Sequence, residues 1–124
     1  MTKLLIVLVL CALTGLEAQA PVAKALLKAK TAYVFNASFK WPTAKEDIVA
    51  ELIKWGRFKI VDKKDLSDVT ITIGEHRAWE GYPLTVSDST NGDKLWSASN
   101  KRFQNESLAA ALVTRLREHL ELKR

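Results

Sequence analysis

The chain has 124 residues, with 19 lysines and arginines against 14 aspartates and glutamates, for a net charge of +5 at neutral pH. That length fits one domain and no more. The single cysteine excludes an intrachain disulfide and a cysteine-rich zinc site, and the absence of any run of five or more cations argues against a nucleic-acid-binding arm.

Residues 1–20 have the layout of a secretory signal peptide. Met1-Thr2-Lys3 is a positive start, Leu4 to Leu13 is an apolar run, and Ala18-Gln19-Ala20 offers the small residues that signal peptidase requires. The run falls short of the roughly 20 apolar residues that span a bilayer. Pro21 directly after Ala20 disfavours a cut at that bond. Cys11 follows Leu8-Val9-Leu10, but Leu10 is too large for a lipoprotein box, so Cys11 reads as a leader residue. The expectation is an exported protein, periplasmic or extracellular, with no transmembrane segment and no thiol once the leader is removed. Losing Lys3 and Glu17 keeps the charge at +5, which is compatible with an anionic polymer as partner.

Residues 21–30, rich in alanine and lysine, read as a spacer, either one or two helical turns or a tether, before a domain at 31–124. Thr31 to Phe35 is an apolar strand with hydrophobic residues on both faces, as in a sheet interior. Asn36 to Lys40 is a loop. Trp41-Pro42 then leads into Thr43, whose spacing to Glu46 forms a capping box. Ile48, Val49, Leu52 and Ile53 share one stripe of a helix, Lys54 in the last turn suits the dipole, and Gly56 stops the helix. Arg57 to Val61 alternates as a strand, with Phe58 and Ile60 inward. Strand, helix and strand in succession predict two parallel strands joined by a crossover.

A polar connection, residues 62–68, leads to Val69 to Ile73, an alternating β-branched strand. Residues 74–81 are a strand end and reversal. Tyr82 to Ser87 is the next strand, with Pro83 placing it at an edge or starting its pairing. Asn91-Gly92 is a tight turn, and Lys94 to Ala98 returns as the last strand. Asn105 to Ser107 cap a helix, Leu108 to Leu122, in which Leu108, Leu112, Leu116 and Leu120 recur every four residues. That row reads as packing onto the sheet, since it is too short for a coiled coil. The prediction is an α+β domain, a two-layer α/β arrangement. Its mixed sheet has four to five strands in the order β-α-β-β-β-β-α, with two helices packed on one face.

Gly56 to Asp62, Ser67 to Gly74, Val86 to Trp96 and the closing helix together resemble the TolB amino-terminal domain. They are also similar to curli-secretion lipoproteins and penicillin-binding-protein activators. The resemblance, over residues 31–122, implies a non-catalytic adaptor module of the bacterial cell envelope whose partner is another envelope protein. This chain departs from those relatives in lacking a propeller domain and a lipobox.

Candidate chemistry is sparse. The segment Glu75 to Tyr82 holds the candidate partner-binding residues Glu75, His76, Trp79, Glu80 and Tyr82. Aromatic residues on loops are favoured anchors, while Trp79 folding back over the sheet edge is the structural alternative. Glu75, His76 and Glu80 are the residues that a small ligand-binding protein or enzyme would use. A metal site needs three or four converging ligands, and no phosphate loop, HExxH or nucleophile elbow is present. The reading therefore assigns no catalytic residue, no metal and no cofactor. Trp41, Trp55 and Trp96 read as core or core-rim residues, and His119 as a helix-end residue. A basic module docking on anionic envelope polymer is the further alternative.

Overall fold

The computed structural model describes residues 22–100 and 107–122. The leader, Cys11 and Asn105 lie outside them. Helix α1 spans Lys24–Lys28, strand β1 Thr31–Asn36, helix α2 Ala44–Trp55 and strand β2 Lys59–Val61. A 3₁₀ turn at Lys64–Leu66 leads to β3, Val69–Ile73, then β4, Tyr82–Asp88, β5, Lys94–Asn100, and helix α3, Leu108–Leu122. The sheet has five strands in the order β2-β1-β3-β4-β5. Strand β1 is parallel to β2 and β3, and β3-β4-β5 form an antiparallel meander.

Register explains the layers. Ala32 and Val34 lie beside Val69 and Ile71, and Ile71 and Ile73 lie beside Val86 and Leu84; all seven are at most 1% exposed. Period-two alternation therefore puts one apolar face under the helices. Ile48 and Leu52 of α2 and Leu112 and Leu116 of α3 are fully buried in the same core. Each such side chain contributes roughly 1.5–3 kcal/mol of burial. The other face carries Tyr33, Phe35, Thr72, Thr85 and Ser97. This is why β1, though interior to the sheet, leaves Phe35 exposed: only one of its faces is covered.

The connection from β2 to β3 passes over the start of β1 in seven residues, which suffices because β2 is only three residues long. It is stapled in place by Asp68. The Asp68 carboxylate accepts the backbone N–H groups of Lys30 (2.8 Å) and Thr31 (3.2 Å), and the Asp68 N–H donates to Thr31 Oγ1 (2.8 Å). The Lys30 N–H, foremost among these contacts, holds the carboxyl below its ordinary range.

Several expectations are corrected. The spacer takes its helical alternative as α1 and does more than link: Leu26 of α1 and Ala29 just after it are buried in the core, and Arg57 donates to the carbonyls of Leu27 (2.9 Å) and Ala29 (2.6 Å), closing the end of that short helix. Ile53 is 63% exposed, because the short β2 edge leaves that flank of α2 uncovered. The Thr43–Glu46 capping box does not form. Thr43 has near-helical angles, φ −96° and ψ 14°, so its hydroxyl does not take the usual cap geometry. It donates instead to Asp47 Oδ2 (3.0 Å), the oxygen that also accepts the Trp41 indole N–H (3.0 Å). Pro83 does not sit on an edge strand, since β4 is paired on both sides; it stands at the start of that pairing, opposite Ser99. Gly56 does end α2 in the left-handed conformation, φ 79°, and the Ser107 hydroxyl accepts the Ala110 N–H at the start of α3.

Candidate functional site

Strands β1 and β3 run parallel and finish level, with Asn36 beside Ile73. The loops that follow them, residues 37–43 and 74–81, therefore leave the same end of the sheet. In open α/β sheets this carboxyl end is where ligands and partners are met.

The first loop is folded around Asn36. Its Nδ2 donates to the Trp41 carbonyl (2.9 Å) and its Oδ1 accepts the Ser38 N–H (2.9 Å), an Asx-type turn. Ser38 is buried, and its hydroxyl has no hydrogen-bonding partner. The turn projects Phe39, which is 88% exposed.

In the second loop Arg77 and Gly81 pair through both backbone bonds, 2.8 and 2.9 Å. Ala78, Trp79 and Glu80 form the turn between them, and Gly81 supplies the required positive φ of 87°. Trp79, in the middle of this turn, is 83% exposed, so it projects into solvent rather than folding over the sheet edge.

Glu75 joins the two loops. Its carboxylate accepts the Phe39 N–H at 3.2 Å. Beneath, Tyr82 meets Trp41 edge-on at 5.4 Å and His76 edge-on at 5.1 Å. Such edge-to-face pairs contribute about 0.5–1.5 kcal/mol beyond area burial. Tyr82 and Trp41 are buried. The result is a packed aromatic base below two exposed aromatic tips.

The sequence-predicted residues thus divide by role. Trp79 stands at the surface. Tyr82 is corrected from a surface contact to a core-edge residue, since the alternation of β4 turns it inward with Leu84 and Val86. Glu75 is a clasp, His76 a packing partner, and Glu80 is in a weak exposed ion pair with Arg77 at 3.4 Å. Among the described residues no three of His, Cys, Asp and Glu gather as metal ligands. His119 stacks on Trp96 with ring centroids 5.8 Å apart. Sequence reasoning missed Phe39; the available signal was a large apolar residue between Ser38 and Lys40, outside any strand or helix period.

Among the described residues no helix is long and apolar enough to cross a membrane. No family model matches the chain, and no curated protein matches it. Among solved structures it is similar to a PelC dodecamer from Paraburkholderia phytofirmans, with a TM-score of 0.51 and 18% identity, over 82% of this chain and 91% of that one. At that identity the likeness carries the fold: this chain has the α+β architecture of a known bacterial protein.

Proposed function

We propose that this chain is a non-catalytic, exported binding module of the bacterial cell envelope, which holds a protein partner at the carboxyl end of β1 and β3 and works in multiple copies. One observation carries the reading: Phe39 and Trp79 are almost fully exposed on two loops that Glu75 clasps together. Large aromatic side chains are favoured anchors of interfaces, and a backbone already tied in place has less freedom to lose on binding.

The chemistry of the same end supports a non-catalytic role. The Glu75 carboxylate is engaged by Phe39, Glu80 by Arg77, and the His76 ring by Tyr82. Export rests on the leader-like residues 1–20, and the envelope role on the TolB-like order of elements. Multi-copy assembly is carried over from the PelC dodecamer, whose shared fold covers 91% of its chain.

Chemical cross-linking in the native envelope tests the proposal. A single discrete protein adduct is expected, and Trp79→Ala should abolish it. An adduct that survives Trp79→Ala would remove the role given to this surface.

A further inference from the structure

Residues 89–93 join β4 to β5 in a turn that carries Asn91-Gly92, and both residues are exposed. Gly92 holds a φ of 80°, and apart from its chain neighbours nothing lies within 4 Å of the place a Cβ would take. No side chain therefore crowds its backbone nitrogen. Asn91 Oδ1 accepts the Asp93 N–H at 2.9 Å. That Asx-type bond folds the side-chain amide back over the following peptide, whose nitrogen belongs to Gly92. In the resting turn the Gly92 N–H is donated to the Asp88 carbonyl at 2.8 Å. Asn36 is the opposite case. Its Nδ2 is tied to the carbonyls of Trp41 (2.9 Å) and Pro42 (3.4 Å), and the next N–H, that of Ala37, is held by the Ile73 carbonyl at 2.8 Å.

We propose that Asn91 is a self-modification site, where the chain converts its own asparagine to isoaspartate and aspartate with water as co-reactant. When the turn opens, the Gly92 N–H leaves the Asp88 carbonyl and gives its proton to hydroxide. The nitrogen attacks Asn91 Cγ, the new N–C bond closes a cyclic imide, and Nδ2 takes up a proton and departs as ammonia. Water then adds to one of the two imide carbonyls and breaks its C–N bond. Opening at Cγ leaves aspartate, and opening at the main-chain carbonyl leaves isoaspartate. A neutral amide becomes a carboxylate, so the net charge of +5 falls by one unit. The new charge arises beside Asp88 and Asp93, whose backbones are joined by the Asp88 N–H to Asp93 carbonyl bond at 2.8 Å, and like charges at that range repel. Isoaspartate also lengthens the main chain inside that bonded turn, so conversion loosens the tip of the hairpin. Asp88 is opposite Val69, at the start of β3, so the change takes place at the end of the sheet away from Phe39 and Trp79.

Peptide mapping by mass spectrometry is the test, on the purified chain kept folded in mildly alkaline buffer and, in parallel, unfolded in guanidinium chloride at the same pH. In the folded chain Asn91 should convert ahead of Asn36 and Asn100, giving isoaspartate and aspartate together with a more acidic band on isoelectric focusing. In the unfolded chain Asn91 should convert at least about fivefold faster, the effect of losing one net hydrogen bond at the Gly92 N–H. Asn91→Gln, whose longer side chain closes the larger ring much more slowly, should remove the first acidic band to appear while the circular-dichroism spectrum stays unchanged. An Asn91 that stays intact in the folded chain overturns the assignment, and so does earlier conversion of Asn36 or Asn100. An acidic band that forms at the same rate in Asn91→Gln overturns it as well. Equal rates in the folded and unfolded chains overturn the control by the Asp88 carbonyl.

Discussion

Glu75 accepts the backbone N–H of Phe39, and this bond, made between residues 36 apart in sequence, joins the two loops that carry the exposed aromatic tips. A carboxylate in this position ties the two loops together. Glu75→Ala should therefore speed hydrogen exchange at the Phe39 amide by about fivefold, the equivalent of one net hydrogen bond of about 1 kcal/mol. Glu75→Gln, which keeps an acceptor oxygen, should restore most of the protection. Equal exchange in wild type and Glu75→Ala would show that the loops are held otherwise.

The aromatic residues of this end should separate cleanly in denaturant melts. Phe39→Ala and Trp79→Ala remove exposed rings and should change stability by no more than about 0.5 kcal/mol. Tyr82→Ala removes a buried ring between Trp41 and His76 and should cost about 3–5 kcal/mol.

The same contrast exists on α2. Ile48 is fully buried and Ile53 is 63% exposed, although both are isoleucines in one helix. Ile48→Ala should cost about 2–5 kcal/mol and Ile53→Ala less than about 0.5 kcal/mol, read from the shift in unfolding midpoint.

Gly74 is required by its neighbour. A Cβ at that position would lie 2.8 Å from the Pro83 ring, and the Gly74 N–H donates to the Pro83 carbonyl at 2.9 Å, so the two backbones have little room to part. Gly74→Ala should cost about 1–3 kcal/mol, as overpacking does. Adding Pro83→Ala should recover part of that loss, which a double-mutant cycle would read as coupling.

Asp68 gives the fold an acid limit. Its folded-state carboxyl lies below the ordinary value of 3.8 because of the Lys30 and Thr31 N–H groups. Its contribution is complete above that ordinary value and is lost as pH falls through the lowered folded-state value. Melting temperature should therefore fall more steeply below about pH 4 in the wild type than in Asp68→Asn. Parallel curves would deny the carboxylate this role.

Most of the layer arrangement was legible in the chain because its signals are local. The four-residue leucine row of α3, the alternation of Val69 to Ile73 and the Gly56 stop each act within one element. What escaped depends on contacts between distant segments. Five residues of α1 are too few to reveal a period, so nothing local told that Leu26 would enter the core. Ile53 obeys the helical stripe as well as Leu52 does; only the shortness of β2 leaves it outside. Asp47 displaced Glu46 at the helix start because the buried Trp41 indole needed an acceptor. At the candidate site the loop holding Trp79 could be found, but its exposure and its union with Phe39 through Glu75 arise only when β1 and β3 lie side by side.

Site-specific photo-cross-linking in the native envelope tests the central claim most directly. A photoreactive residue placed at position 39 and another placed at position 79 should each capture a protein adduct of the same mass, and one at Ser97 on the helix-free face of the sheet should not. Capture of different proteins from positions 39 and 79, or equal capture from Ser97, would contradict a single binding surface at this end of the sheet.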